Sequence, residues 1–228
     1  MSKRLKLLFV LGTRPEAIKL APLILVARER DNVDVIVCNT GQHSAMADEM
    51  LQVFGIAADL KLNIMKSGQT LTDITVNILG GLEQPVRDLG PDWVVVQGDT
   101  TTSFAAALAS FYQRIPVAHV EAGLRTGDMY APWPEEINRR MNAVLATLHF
   151  APTEQGRNNL LSEGIAAERI LVTGNTGIDA LKRTTERLRT APGLSAVVRG
   201  RLASLGLSCL AETAVKPRIA IITAHRRE

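Results

Sequence analysis

Two short stretches, Trp93-Val-Val-Val-Gln-Gly-Asp99 and Pro116-Val-Ala-His-Val-Glu121, decide the fold of this chain. Each is an apolar run containing β-branched residues, and each ends in a carboxylate. A helix-length segment, residues 102–114, separates them, which is typical of neighbouring buried parallel strands in an α/β sheet. Because the carboxyl ends of such strands line the ligand crevice, we expect Asp99 and Glu121 to lie where chemistry takes place.

Each acid taken alone also has a simpler interpretation. Asp99 could cap the helix that follows it, and Glu121 could pair with Arg125 on the surface. Caps and surface ion pairs are common, so the functional interpretation depends on further motifs in the chain.

Other candidate strands and helices alternate along the sequence. Strands are predicted at residues 5–11, 33–38, 93–97, 116–120, 149–151, 170–172 and 218–224. Helices are predicted at residues 15–30, 45–54, 70–89, 102–114, 134–146 and 153–162. This alternation predicts right-handed βαβ units in a doubly wound parallel sheet, and therefore an α/β fold. Pro22 is expected to kink or divide the first helix.

The composition is that of an ordinary globular protein, with 46% hydrophobic and 21% charged residues among 228. Only 4% of residues are aromatic, and 26 Lys and Arg face 23 Asp and Glu. This balance argues against a nucleic-acid platform and suits anionic small molecules.

Cys38 and Cys209 are isolated, which fits a reducing compartment. The apolar run at residues 7–11 is too short for a signal peptide or a membrane span, so we expect a cytoplasmic protein without a membrane partner.

The last quarter of the chain changes character. Residues 177–205 are helical in pattern and rich in arginine, which could form a nucleic-acid patch but fits a solvated helical face better. A further apolar strand at residues 218–224 has no crossover helix after it. We therefore expect the front part of a longer protein, with a first domain at 1–176, a helical bridge at 177–217 and the first strand of a second domain at 218–228.

The loop Gly12-Thr-Arg-Pro-Glu16 follows the first strand and opens the first helix. Pro15 stands where a helix tolerates its missing N–H, so free backbone donors are expected to face the crevice and attract anions. Arg14 and Lys19 could add positive charge for a phosphate. Alternatively, Arg14 pairs with a neighbouring carboxylate and Lys19 faces solvent. The loop lacks the spacing of a dinucleotide fingerprint or a P-loop.

The segment Pro132-Trp-Pro-Glu-Glu-Ile-Asn-Arg139 predicts a polar cluster at a helix N-terminus. Negative charge in the first helical turn is favourable, and this alone would explain one of its two glutamates.

The histidines, at positions 43, 119, 149 and 225, lack metal-ligand spacing, so no metal site is expected. His119 and His149 are predicted to be core residues. His225 follows a predicted strand beside two arginines, where it could meet a phosphate.

Five motifs in order resemble those of the non-hydrolysing UDP-N-acetylglucosamine 2-epimerases. They are Gly12-Thr-Arg-Pro-Glu16, Gly98-Asp-Thr-Thr-Thr-Ser103, His119-Val-Glu-Ala-Gly-Leu-Arg125, the segment at 132–139 and Thr223-Ala-His-Arg-Arg-Glu228. The resemblance runs from residue 7 to residue 228. It implies the N-terminal part of the family, a Rossmann-like three-layer domain of the glycosyltransferase-B type two-domain fold, with the active site in the cleft between the domains.

The resemblance also implies an activity and roles for named residues. The activity is the interconversion of UDP-N-acetylglucosamine and UDP-N-acetylmannosamine at C2 without a cofactor. The residues that match the family's catalytic cluster are Asp99, Glu121, Glu135 and His225. Candidate substrate-binding residues are Arg14, Lys19, Arg139, Glu136 and Arg125. Which carboxylate removes the C2 proton stays open, as do a hydrolysing epimerase, a glycosyltransferase and a non-catalytic nucleotide-sugar sensor.

Some bacterial members of this family bind a second UDP-N-acetylglucosamine as an activator through a Gln-His segment. Gln42 and His43 match that segment, but Ser44 and Ala45 stand where an arginine often follows. We therefore treat Gln42 and His43 as candidate allosteric residues. The expected partners are the UDP-sugar and, in the full-length protein, a second copy in a homodimer.

Overall fold

The computed structural model describes residues 4–42, 44–207 and 222. Within these residues, strands β1 to β7 are Leu5–Leu11, Val33–Asn39, Leu60–Lys61, Trp93–Gln97, Val117–Val120, Leu148–Ala151 and Ile170–Val172. Helices α1 to α8 are Arg14–Arg28, Ser44–Val53, Leu71–Leu89, Thr101–Tyr112, Glu135–Leu145, Glu154–Ser162, Thr176–Thr190 and Pro192–Ser204. A 3₁₀ turn, Ala167–Arg169, precedes β7.

The seven strands form one parallel sheet in the order β3-β2-β1-β4-β5-β6-β7. The strand order changes direction between β1 and β4, which pair from Leu7 with Trp93 to Phe9 with Val95. Connections to either side of such a switch point leave a crevice outside the carboxyl ends of the two strands. The loops that follow β1 and β4 are therefore placed to line a ligand site.

Helices cover both faces of the sheet, because successive side chains of a strand point to opposite faces. Leu8 and Val10 of β1 pack in a buried cluster with residues of α3 and α4, whereas Phe9 and Leu11 pack with residues of α1 and α2. All four side chains are at most 2% exposed. Burial on both faces explains why these strands read as continuous apolar runs, and it confirms the predicted three-layer α/β fold.

Every strand and helix predicted within the described residues is present, with ends that differ by at most two residues. Capping explains part of this difference. Thr70 and Thr153 are the first residues of two predicted helices, and each is an N-cap whose hydroxyl accepts a hydrogen bond from a first-turn amide. The cap residue is extended, so the helix begins one residue later.

The fold adds two details to the prediction. Helix α1 is not divided at Pro22, since Leu20, Ala21 and Ile24 are fully buried on either side of it and hold the two halves in one helix. The two-residue strand β3, Leu60–Lys61, was not predicted. It is too short to show an alternating pattern and exists only through its pairing with the end of β2.

The chain divides into two compact units, residues 1–180 and 181–228, with the boundary inside α7. The first contains the whole sheet, and the second contains α8. Apart from residue 222, the strand predicted at 218–224 lies outside the described residues, as do His43 and His225. None of the described helices has the length and apolar character needed to cross a bilayer.

Candidate active site at the carboxyl edge of the sheet

A cavity of about 510 Å³ lies at the switch point between β1 and β4. It is walled by the loops after β1, β4 and β5 and by the N-terminus of α5. Six of the predicted site residues line it: Arg14, Lys19, Gln42, Asp99, Glu121 and Glu135. The sheet topology thus brings together side chains from five separate parts of the chain.

Glu121 follows β5 directly and adopts a left-handed backbone conformation with φ of 64°. Its Oε2 atom accepts a hydrogen bond from Lys19 Nζ at 2.5 Å and another from the Gln97 side-chain amide. The Asn175 side-chain amide donates to Oε1 at 3.4 Å. The interpretation that Glu121 pairs with Arg125 is therefore wrong, because Lys19, one turn along α1, takes that position.

Asp99 follows β4 and forms an ion pair with the guanidinium of Arg139. The Asn138 side chain donates to the backbone carbonyl of Asp99 at 2.9 Å. Asp99 does not cap the next helix, because Thr100 performs that role by accepting from the Ser103 amide at 3.0 Å. The carboxylate of Asp99 is thus left to face the cavity, held by a cation one turn into α5.

Glu135 is the first residue of α5 and lines the cavity. Its Oε2 atom is buried and has no hydrogen-bond partner within the described residues. A buried carboxylate oxygen without a partner is costly, and a ligand hydroxyl, amide or proton would satisfy it. Glu135 therefore offers the cavity a free acceptor beside two carboxylates that already pair with cations.

Glu136, next to Glu135, is fully buried and does not line the cavity. It accepts hydrogen bonds from the Thr126 amide at 3.1 Å and from Arg140 Nε at 3.0 Å. Burial opposes ionisation, but these bonds and the charge of Arg139 hold the pKa of Glu136 below its usual value. The structure thus gives Glu136 a role in fixing the loop before α5, and not a contact with the cavity.

Arg125 also lies away from the cavity lining. Its guanidinium donates to both carboxylate oxygens of Glu163, each at 2.7 Å, and its side chain is only 8% exposed. A bidentate pair of this geometry is specific and directional. It ties the loop after β5 to the end of α6, so the structure does not bring Arg125 to the predicted substrate site.

The loop after β1 uses two of its backbone amides within the fold. Its backbone amides at Gly12 and Thr13 donate to Glu16 Oε2, at 3.0 and 2.8 Å, and are not free for a ligand. Sequence reasoning missed Glu16, although Thr13-Arg-Pro-Glu16 fits the spacing of a capping box. Positive charge in this part of the cavity therefore comes from the side chains of Arg14 and Lys19.

Gln42 lines the same cavity, and its side-chain oxygen accepts a hydrogen bond from Thr102 Oγ1 at 2.7 Å.

His119 is fully buried, as predicted, with its Nε2 atom 2.7 Å from the Gly98 carbonyl oxygen. Burial lowers the pKa of His119 to about 4, so the ring is neutral at physiological pH. No group of three or more His, Cys, Asp or Glu within residues 4–42, 44–207 and 222 is placed to hold a metal ion.

The parallel sheet, the switch-point cavity and its mixture of acids and cations define a Rossmann-like α/β domain, as found in the N-terminal half of glycosyltransferase-B type proteins. A lipopolysaccharide outer core galactosyltransferase shares this fold, with a TM-score of 0.54 over 75% of this chain and 46% of its own, at 13% identity. At that identity the likeness concerns the fold alone.

The chain belongs to the UDP-N-acetylglucosamine 2-epimerase family, whose family model matches residues 26–228. The UDP-N-acetylglucosamine 2-epimerase of Salmonella typhimurium is 50% identical over 224 residues, which are 98% of this chain and 57% of that protein. The crystal structure of UDP-GlcNAc 2-epimerase from Neisseria meningitidis, bound to UDP-GlcNAc, superposes with a TM-score of 0.83 at 51% identity, covering 87% of this chain and 54% of that one. The chain spans about half the length of the curated relatives it matches.

Proposed function

We propose that the full-length protein containing this chain interconverts UDP-N-acetylglucosamine and UDP-N-acetylmannosamine by inversion at C2. The observation that carries the proposal is the convergence of three carboxylates, Asp99, Glu121 and Glu135, with the cations Arg14 and Lys19 around one cavity. Membership of the epimerase family supports the same activity.

The chemistry explains why such a site needs both kinds of group. The C2 hydrogen of the sugar is not next to a carbonyl, so its simple removal as a proton would meet a very high barrier. Loss of UDP from C1 together with the C2 proton avoids that barrier: the C1–O bond breaks, a C1–C2 double bond forms, and UDP keeps the bonding electron pair. The product is 2-acetamidoglucal, to which UDP adds back after protonation of C2 on the opposite face.

This route requires acid–base groups near both faces of the ring and cations near the departing diphosphate. Arg14 and Lys19 would stabilise the negative charge that develops on UDP. Arg139 would hold the carboxylate of Asp99 in place through their ion pair. The proton transfers fall to Asp99, Glu121 and Glu135, of which Glu135 has a carboxylate oxygen without a partner among the described residues.

The proposal includes a second domain. In this proposal residues 1–176 are the first domain, residues 177–217 a bridge and residues 218–228 the start of a second domain, to which His225 belongs. Two findings support this division: the compact unit that contains the sheet ends at residue 180, and the Salmonella relative is nearly twice as long as the matched region. We accordingly expect the 228-residue chain alone to be nearly inactive.

Turnover and product identity test the proposal. Incubation of the full-length protein with UDP-N-acetylglucosamine, followed by NMR, should show UDP-N-acetylmannosamine accumulating to a constant ratio. The variants Asp99→Asn, Glu121→Gln and Glu135→Gln should each lower kcat by roughly 10²- to 10⁴-fold, the usual effect of removing one acid–base group. Free N-acetylmannosamine would identify a hydrolysing enzyme, a glycosylated acceptor a transferase, and binding without turnover a sensor. Each of these outcomes would refute the epimerase.

The proposal also covers assembly and location. Phe111 and Tyr112 of α4, which are 57% and 69% exposed, line one surface depression together with Ile115 and Leu145, and this apolar grouping supports a homodimer. Analytical ultracentrifugation of the full-length protein should give twice the monomer mass, and Tyr112→Glu should shift it toward monomer. We also propose a cytoplasmic location and no affinity for nucleic acid, which cell fractionation and a DNA mobility assay would test.

A further inference from the structure

The side chain of Glu16 makes contacts beyond those needed to cap its own helix. It is fully buried. Its Oε2 atom accepts hydrogen bonds from the amides of Gly12 and Thr13, at 3.0 and 2.8 Å, and from the Thr13 hydroxyl at 2.8 Å. Its Oε1 atom accepts from the Thr100 hydroxyl at 2.7 Å, across 84 positions in the sequence.

All four donors are neutral, which makes the burial of this carboxylate expensive. Burial raises the pKa of Glu16, although the four hydrogen bonds oppose the shift. A capping box does not require such burial. Helix α3 begins with one in which Asp73 accepts from the Thr70 amide at 2.9 Å and from the Thr70 hydroxyl at 2.7 Å, and both residues are exposed. The buried position of Glu16 therefore calls for a reason other than capping.

The hydrogen bond to Thr100 supplies that reason, because it connects the two loops that carry opposite charges into the cavity. Thr13 caps α1 and is followed by Arg14, while Thr100 caps α4 and is preceded by Asp99. Arg14 and Asp99 both line the cavity. A single carboxylate thus holds the cationic loop and the acidic loop together at the switch point of the sheet.

We infer that Glu16 is a positioning residue for the reaction: by bridging Thr13 and Thr100, it fixes the distance between the cationic loop and Asp99. The inference rests on the proposed function. A displacement of about 1 Å between groups that act on one substrate can cost about 10²-fold in rate. The bridge should therefore matter for kcat and much less for substrate affinity.

Glu16→Asp separates bridging from capping. The box at Thr70 and Asp73 shows that aspartate can serve this position in a capping box. Aspartate at position 16 keeps the charge and the cap but is one methylene too short to reach Thr100 as well. Glu16→Gln keeps the length, and its amide can donate to the Thr100 hydroxyl while its oxygen accepts from the loop amides.

The experiment measures kcat and KM of the full-length protein and its variants, with Asp73→Asn as the matched control for loss of a capping acid. We expect Glu16→Asp to lower kcat at least tenfold with KM changed less than about threefold, a split that follows from misplacement of reacting groups. Glu16→Gln should retain kcat within a few-fold, and Asp73→Asn should leave both constants unchanged. Equal kcat for Glu16→Asp and the parent protein would overturn the inference.

A second route guards against a variant that fails to fold. Thr100→Val removes the donor to Glu16 and also the hydroxyl that accepts from the Ser103 amide, so Thr70→Val, which removes the same kind of cap from α3, is its matched control. Thr100→Val should lower kcat, whereas Thr70→Val and Thr100→Ser, which restores the hydroxyl, should not. Because both variants break the same hydrogen bond, Glu16→Asp should lower kcat in the Thr100→Val background much less than it does in the parent protein. Additive losses would mean that the two residues act independently, and would overturn the bridge.

NMR of the 228-residue chain separates this inference from the proposed function. Amide signals of residues 98–102 should shift in Glu16→Asp and stay in place in Asp73→Asn, whether or not the protein turns over a nucleotide sugar. If the full-length parent protein has no epimerase activity, the proposed function fails while these signals still report the bridge. Unchanged signals in Glu16→Asp would refute the bridge itself.

Discussion

The buried histidines His119 and His149 should make the stability of this domain fall steeply below pH 6.5. Both side chains are fully buried, on paired positions of β5 and β6. Burial lowers the pKa of each to about 4, and the nearby charge of Arg125 acts in the same direction on both. The unfolded chain binds these protons near pH 6.5, so stability is full above that value and is lost as the pH falls toward 4.

The magnitude follows from the two pKa values. Between pH 7.5 and pH 5.0 each histidine should remove about 2 kcal/mol from the free energy of unfolding, at about 1.4 kcal/mol per pH unit below the unfolded pKa. Together the pair accounts for about 4 kcal/mol. The contribution of Glu16 to stability changes with pH in the opposite direction. Burial raises the pKa of Glu16, so its contribution to the free energy of unfolding is lost as the pH rises. A comparison of variants is therefore needed to isolate the histidines.

Urea unfolding of the parent chain and of His149→Leu at pH 7.5 and pH 5.0, followed by circular dichroism, isolates one histidine. The variant should lose about 2 kcal/mol less than the parent over this range, because it has one fewer group that gains a proton on unfolding. His119→Gln should show the same reduced pH dependence. It should also have a lower free energy of unfolding than the parent at both pH values, because the contact between His119 Nε2 and the Gly98 carbonyl oxygen is lost. Equal pH dependence for the parent and both variants would refute the reasoning.

Three further results are expected. Gly123→Ala should lower the free energy of unfolding by about 3 kcal/mol, because φ is 87° and the new Cβ would lie 2.1 Å from the Gly156 carbonyl oxygen. Gly127→Ala, where φ is 85° but the space around the glycine is open, should lower it by about 1 kcal/mol. Equal urea midpoints for the two variants would contradict this difference. Lys19→Met in the full-length protein should lower kcat/KM about 10²-fold or more by removing a cation from the cavity, and an unchanged value would exclude Lys19 from the site. Cys38 is fully buried, and burial raises the pKa of its thiol to about 12. A thiol reagent should therefore label Cys38 only after urea unfolds the chain, as peptide mass spectrometry would show. Rapid labelling of the folded chain would contradict this burial.

The sequence was sufficient to predict the sheet and its carboxyl edge, because the relevant signals are local. The apolar runs of β1, β4 and β5, and the glycines that follow several helices, mark where elements begin and end. The position of Asp99 and Glu121 then follows from the rule that parallel strands end at one edge of a sheet. The convergence of these acids with Arg14 and Lys19 at one cavity needed no knowledge of side-chain contacts.

The partners of these side chains could not be predicted, because they depend on distant parts of the chain. Glu121 pairs with Lys19, 102 positions away, and Arg125 with Glu163, 38 positions away. Glu135 and Glu136 are neighbours, yet a turn of about 100° per residue sends only Glu135 to the cavity. Side-chain partners of this kind are determined by the packing of distant segments, and a single sequence carries no direct signal for that packing.

The fate of the hydrogen at C2 tests the central claim most directly. The full-length protein should be incubated with UDP-N-acetylglucosamine in deuterated water, and both sugar nucleotides recovered for NMR. If the carboxylates at this cavity remove and return the C2 proton, deuterium will appear at C2 of UDP-N-acetylmannosamine and of the recovered UDP-N-acetylglucosamine. Conversion with protium retained at C2 in both compounds would contradict the account.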